Sequence, residues 1–361
     1  MLALAGHNLG VRTVCLDPDP ESSCGQVAAQ VVGGFGDPTA IAQLAERVDR
    51  ATFEFESVPS ASAAWLADRR PLFPPVGALA AAQDRLDEKR FLEGIGIPVA
   101  PWARVDGPAD LAPAIRRVGL PARLKARRLG YDGRGQSVVT RPGDAPGAWV
   151  AAGSAPAILE RVVAFERELS VLAVADLHHR VACYPLVENR HHDGILRLSL
   201  APAPGLSSAL QSQGEALAQQ IMAALGYVGV LAVECFQVAG TLVVNELAPR
   251  VHNSGHWTIE AAETSQFENH LRAGLGWPIG GTAMRGTAAM LNCIGAAIDP
   301  GRILRHPDCH LHWYGKAVRP GRKLGHVTVV APDLATLAGR LGPLGEAVGV
   351  PLEVLERPLA G

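Results

Sequence analysis

The stretch VGVLAVECFQVAGTLVVNE, residues 228–246, reads as two apolar strands joined by a turn at Ala239-Gly240-Thr241. That turn sets Val238 opposite Leu242 and so places Glu234 opposite Glu246. Side chains directly opposed on neighbouring strands lie about 4.5–5.5 Å apart at Cβ, where like charges repel. A divalent cation resolves the conflict, and two carboxylates with phosphate oxygens suit Mg²⁺. The alternative is a register slipped by one residue, which sends the two acids to opposite faces and leaves Glu234 to pair with a lysine or arginine.

Around this hairpin the chain alternates helices and strands. Residues 1–9 form a short apolar helix ending at Gly10, followed by a strand through Val11 to Asp17. A second unit joins helix 40–49 to strand 51–56, the pattern of a parallel α/β lobe. Apolar spacing from Ala78 to Glu93 is helical and stops at Gly94 to Pro98. Strands 122–125 and 136–140 flank a polar glycine loop, and strands 157–163, 168–174 and 180–185 suit an antiparallel sheet. Helix 208–225 precedes the hairpin, and a final unit from about Gly286 mixes strands with a basic segment.

The 361 residues are 48% hydrophobic and 19% charged, with Lys+Arg 33 against Asp+Glu 35, a globular balance without the basic footprint of a nucleic-acid binder. Apolar runs stop far short of the ~20 residues a membrane helix needs. The six cysteines stand singly, without a zinc-type pair, and the start carries no secretory signal, so the expectation is a cytoplasmic protein with reduced thiols.

Three further segments carry chemistry. The loop Gly130-Tyr131-Asp132-Gly133-Arg134-Gly135-Gln136 follows Lys125; its glycines let backbone N–H groups approach phosphate oxygens, although a plain hairpin turn has the same composition. Arg250-Val251-His252-Asn253-Ser254-Gly255-His256-Trp257 packs a cation, an amide and two imidazoles directly after the hairpin, and Arg250 suits a two-pronged grip on an anion. From Lys316 to Lys323 four fixed positive charges fall in eight positions broken by glycine and proline, either a solvated face or a phosphate loop. Glu54 and Glu56 end a strand at the edge where α/β sheets bind ligands, or are simply exposed acids. No Ser-His-Asp or Cys-His arrangement is legible.

Taken together, the strings 130–136, Val233-Glu234, 245–257 and Tyr314-Gly315-Lys316 resemble the N5-carboxyaminoimidazole ribonucleotide synthetases, members of the ATP-grasp superfamily, from Met1 to about Val330. The resemblance implies an ATP-grasp fold of α/β class, with an N-terminal parallel α/β lobe at 1–88, an ATP-grasp domain at 89–285 and a small β-rich domain at 286–361. It implies ATP and Mg²⁺ as cofactors, aminoimidazole ribonucleotide and bicarbonate as substrates, and a homodimer. For ATP it points to Arg85 and Lys125 at the phosphates, Gly130 to Gln136 as a lid, and Glu160, Arg161, Val162 and Val163 as the segment reading the adenine edge. Glu168 is implied at the ribose, with His191 and Asn245 also at the nucleotide. Glu234 and Glu246 are implied as metal ligands. The ribonucleotide is implied to meet Glu54, Tyr131, Asp132, Asn253, Lys316, Arg322 and Lys323, and the reacting groups to meet Lys125, Asp132, Arg134, Arg250 and Lys316.

The implied reaction phosphorylates bicarbonate to carboxyphosphate and transfers its carboxyl group to the exocyclic amine. Rival readings are a formate-using glycinamide ribonucleotide transformylase of the same superfamily and an ATP-binding protein without turnover. Two departures stand out. Relatives open with a strand and a Gly-x-Gly-Gln-Leu-Gly turn ahead of the segment matching Met1-Leu2-Ala3, so a start codon placed downstream of the natural one is expected. Arg123 stands where relatives mostly carry an apolar residue.

Overall fold

A computed structural model describes residues 1–128 and 135–357. The described residues build three sheets. Val14–Asp17 pairs in parallel with Ala29–Val32, a strand the sequence pattern had not revealed, and the helix Pro38–Arg47 packs on the pair. The expected strand 51–56 reduces to one bridge, Ala51 with Leu72, because the residues after it find no ladder partner among those described. A four-stranded antiparallel sheet runs Trp102–Val105, Ala157–Arg161, Ala122–Ala126, Gln136–Val139.

The third sheet holds most of the molecule. Its order is Thr241–Ala248, Gly229–Val238, Arg167–Ala175, Val187–His192, Ile195–Ala201, Thr287–Ile294, Lys323–Ala331, Cys309–Trp313, with Val181–Cys183 beside Arg167–Ala175. The strands Val187–His192 and Ile195–Ala201 escaped the sequence reading, since the polar run Asn189 to Gly194 conceals their alternation. They join the hairpin region to the C-terminal strands, so one continuous sheet crosses the boundary expected near residue 286. Helix Ser208–Leu225 lies against this sheet through Leu210, Leu217, Ile221 and Met222, and is stopped by Gly226 at φ 55°.

The helical run expected from Ala78 to Glu93 is two helices, Val76–Gln83 and Arg85–Gly94. Asp84 separates them in extended conformation and caps the second helix by accepting from Leu86 N at 3.0 Å. Periodicity alone spans the break; the cap residue followed by Asp87 and Glu88 in the first turn marks it.

The N-terminal lobe is tied to the main sheet through a buried imidazole. His270 Nδ1 accepts from Val230 N at 3.0 Å, so its proton sits on Nε2 and is donated to Thr52 Oγ1 at 2.7 Å. A Cβ on Gly229 would come within 2.9 Å of that ring, and only glycine fits there at φ 105°. Burial pushes the His270 imidazole down to about 3. Its folded value thus lies below the unfolded one, and the stability is present above about pH 6.5 and lost as pH falls toward 3. Acidification from pH 7 to 5 is expected to cost roughly 2 kcal/mol through this group. Urea unfolding at the two pH values checks it: His270→Gln should flatten that slope, and an unchanged slope contradicts the assignment.

Candidate functional site

The hairpin reaches the expected pairing by another route. Ala239 and Gly240, with φ 48° and 75°, form a two-residue turn that sets Val238 opposite Thr241, not Leu242. Continued without interruption, that register would bring Asn245 opposite Glu234. A β-bulge between Glu234 and Cys235 on one strand takes up Asn245 on the other, and Glu246 becomes the partner of Glu234. The turn was misread by one residue and the bulge, which the sequence does not show, restored the outcome.

Both acids line a cavity of about 1200 Å³. Each already holds a counter-group. Glu246 accepts from Arg85 Nη1 at 2.7 Å, and Glu234 lies 3.0 Å from His252 Nε2. His252 Nδ1 accepts from Ser254 N at 3.3 Å, which leaves the ring proton on Nε2 to be donated to Glu234. Burial acts to raise the Glu246 carboxyl, but Arg85, with Lys125 and Lys89 behind it, holds it below the usual range. Glu234 is thus paired with an imidazole, not with the lysine or arginine expected of the slipped register, and stands opposite Glu246.

A buried ionic network forms the adjacent wall. Lys89 Nζ reaches Glu160 Oε1 at 2.7 Å and Asn245 O at 2.7 Å. Lys125 bonds the other oxygen of Glu160 and stands 3.4 Å from Asn245 Oδ1. Glu88 accepts from Leu247 N at 2.7 Å, and burial, only partly offset by Lys89, pushes its carboxyl up to about 8. Near neutral pH Glu88 is therefore uncharged. Arg85, Lys89 and Lys125 are then each already matched by carboxylates among Glu160 and Glu246, with Glu234 beside them. A polyphosphate set here adds negative charge next to Glu234 and Glu246, which favours a cation shared by the two hairpin acids. Among the described residues no three His, Cys, Asp or Glu side chains cluster to hold a metal unaided, so the remaining ligands would come from the phosphates. Glu234, Glu246 and the Asn245 amide are all oxygen donors, a fit for Mg²⁺.

Other expected residues distribute unevenly. Glu160, Arg161, Val162 and Val163 line the cavity, but Glu160 is buried with its carboxylate committed to the two lysines. Arg161 and Val162 donate their backbone N–H groups to Pro101 and Pro121. These two N–H groups are therefore already committed within the fold. Glu168 bonds His191 Nδ1, and that carboxylate raises the imidazole's pKa against the opposing effect of burial. Phe165 and Phe236, stacked at 4.7 Å, add an apolar wall beside them. Arg250 is held by Glu56 at 2.8 Å, at the same cavity. Arg123, the unusual strand residue, is half-buried in the cavity wall beside Lys125.

Asn253 also lines the cavity and accepts from Lys323. Glu54 and Lys316 are exposed and Arg322 half-buried, all outside that lining. The Lys316 ammonium is depressed by burial and by Arg322 and supported by Glu54 and Asp17, so the basic segment faces the acids of the N-terminal lobe. Gln136 lies at the cavity, whereas Gly130, Tyr131, Asp132, Gly133 and Arg134 lie outside the described residues. Gly135 has φ 68°. Sequence reading missed Asp84, Glu88, Lys89 and the pairing of His252, although the acidic first turn after Asp84 was a visible signal.

Three family models cover most of the chain: a ribonucleotide synthetase preATP-grasp domain at residues 1–83, an ATP-grasp domain at 90–267, and a phosphoribosylaminoimidazole carboxylase C-terminal domain at 288–340. The N5-carboxyaminoimidazole ribonucleotide synthase of Pseudomonas aeruginosa is 48% identical over 341 residues, 94% of each chain. The synthetase of Thermus thermophilus superposes with a TM-score of 0.93 at 55% identity, covering 96% of this chain and 95% of that one. The Aspergillus clavatus synthase, in complex with ADP and 5-aminoimidazole ribonucleotide, superposes with 0.91 at 34% identity over 97% and 95%.

Asp84 anchors the cavity rim. Its carboxylate is 1% exposed and accepts from Arg127 Nε and Nη2 at 2.9 and 2.8 Å and from Arg128 Nε at 3.0 Å. Burial acts to raise it, but these bonds hold it below the ordinary carboxylate range. Asp84→Ala removes the cap and leaves Arg127 only Asp106, at 3.8 Å, and is expected to cost about 2–3 kcal/mol in denaturant unfolding. Arg128, 59% exposed, should cost under about 1 kcal/mol as Arg128→Ala. Equal effects would contradict this division.

Proposed function

The chain belongs to the N5-carboxyaminoimidazole ribonucleotide synthases: it is an ATP-dependent ligase that carboxylates 5-aminoimidazole ribonucleotide, and we propose the following division of labour among its residues. The ATP phosphates lie along Arg85 and Lys125 under the segment 130–136, the ribose meets Glu168 and His191, and the base lies against the 160–163 segment beside Phe165. Glu234 and Glu246, with Asn245 on the bulge, would hold Mg²⁺, which would supply charge neutralisation at the phosphate oxygens. Arg85, paired with Glu246, is the side chain placed to meet a phosphate.

Bicarbonate is a poor electrophile until one of its oxygens becomes a leaving group. In the proposed sequence its oxygen attacks the γ-phosphorus, ADP departs, and carboxyphosphate forms. Lys125 carries charge at the γ-oxygens, and Arg250, released from Glu56, steadies the carboxyphosphate. The exocyclic amine then takes the carboxyl carbon, directly or as freed CO₂, phosphate leaves, and the amine loses a proton. Glu54 or Asp132 helps orient the amine, and Tyr131 is assigned to the ribonucleotide and Arg134 to the reacting groups. Asn253, Lys316, Arg322 and Lys323 receive the ribonucleotide. The domain limits 1–88, 89–285 and 286–361, a homodimer and a cytoplasmic location belong to the same proposal; among the described residues no helix is long and apolar enough to cross a membrane.

The observation that supports this arrangement most directly is the bulged pairing of Glu234 with Glu246 beside Arg85 and Lys125 in one cavity. Phosphate release from ATP should require both bicarbonate and aminoimidazole ribonucleotide. A requirement for formate and glycinamide ribonucleotide would favour the transformylase, and nucleotide binding without release an inert protein. Arg250→Ala is expected to lower kcat about 100-fold with the ATP KM within about twofold; unchanged turnover removes the role given to Arg250. Glu246→Gln should abolish the Mg²⁺-dependent part of ADP binding in calorimetry.

A further inference from the structure

Three segments far apart in sequence meet around one phenol. Tyr314 follows the last residue of the strand Cys309–Trp313, and its carbonyl accepts from Ser23 Oγ of the N-terminal lobe at 2.8 Å. Its hydroxyl lies 2.6 Å from His326 Nδ1 and 3.4 Å from His256 Nδ1. Lys323 Nζ stands 3.2 Å from that same His256 nitrogen and bonds Asn253 Oδ1. The ammonium groups of Lys316 and Lys323 lie 5.4 and 5.8 Å from the Tyr314 ring centroid.

Protonation states follow from the surroundings. Burial and then Lys323 hold both His256 and His326 well below the ordinary imidazole value, the neighbouring imidazoles acting in the same direction. Each ring is neutral and has one acceptor nitrogen. His256 Nδ1 accepts a hydrogen bond from Lys323, because an ammonium has no acceptor to offer in return. Burial pushes the Tyr314 phenol up, so it keeps its proton and donates it to the nearer acceptor, His326 Nδ1. The His326 proton is then on Nε2; that nitrogen and Oδ1 of Asn292, its ladder partner on Thr287–Ile294, are both buried without a hydrogen-bond partner among the described residues.

On the other side His326 stacks on His312 at 4.4 Å and 8°, and His312 is fixed by Glu260 at 2.6 Å. The ring of Tyr314 is thus held from behind by a buried polar row. Both lysine ammonium groups stand near its ring, and Arg322 adds positive charge beside Lys316. Positive groups gathered in this way cost stability unless an anion is to be received, and the negative ring face together with the Asn253 and His256 acceptors offsets part of that cost.

We propose that Tyr314, locked through its hydroxyl by His326, is a positioning residue that presets Lys316 and Lys323 as a paired receptor for the phosphate ester of the ribonucleotide. This deepens the functional reading above and rests on it. The phenol touches no reacting atom. Its effect belongs to ribonucleotide binding and not to phosphoryl transfer.

Tyr314→Phe keeps the ring and removes the bond, and His326→Leu removes the same bond from the other side. Each is expected to raise the aminoimidazole ribonucleotide KM, and its Kd in calorimetry without ATP, roughly tenfold. The ATP KM should stay within twofold and kcat within about threefold, and the double variant should be no worse than either single one. Unchanged ribonucleotide affinity in Tyr314→Phe overturns the proposal. So does an equal rise in both KM values with a lowered melting temperature, the signature of a merely structural role, as does additivity in the double variant. Failure of the wild-type chain to release phosphate in response to the ribonucleotide would instead overturn the functional reading.

Discussion

Two carboxylates held face to face on neighbouring strands are the constraint around which the rest of this protein is arranged. At about 5 Å and an effective dielectric near 20, their repulsion is roughly 3 kcal/mol. A sheet would ordinarily relieve it by slipping one residue. Here the bulge that accommodates Asn245 enforces it, while strand Arg167–Ala175 pins the other side of Glu234 in unbroken register. Arg85 and His252 supply the local balance. Each comes from a different part of the chain, so the repulsion is tolerated only when the lobes are assembled.

The same logic explains the buried lysines. Lys89 and Lys125 come from a helix and from the four-stranded sheet, and both close on Glu160. Breaking one member would leave a desolvated charge, costing far more than the triad itself contributes. The triad therefore fixes where the smaller sheet stands against the hairpin. A neutral Glu88 beneath it contributes hydrogen bonding without another charge. Continuation of the main sheet into Thr287–Ile294 and Lys323–Ala331 serves a related purpose. It carries Lys323 rigidly to Asn253, a residue of the loop that leaves the hairpin.

Local patterns were legible where one principle governed them. Helix Ser208–Leu225 was read with its true limits because its periodicity, serine cap and terminal glycine agree. The acids of the hairpin, the glycine loop and the basic run were visible as residue types at short spacing. Failures came where tertiary partners decide. Strand 51–56 has the composition of a strand but gains only one bridge, and Val187–His192 becomes a strand despite a polar sequence because two neighbours supply its hydrogen bonds.

The sequence by itself determined the class of fold, the family likeness and the set of groups able to meet a nucleotide, since these follow from hydrophobic period and from chemistry carried by neighbouring residues. Tertiary structure alone decided how those groups are paired: Glu246 with Arg85, Glu234 with His252, Arg250 with Glu56, and Lys323 with Asn253 and His256. Charge pairing depends on distance and burial, and both are set by contacts between residues up to about two hundred positions apart, which no local pattern encodes.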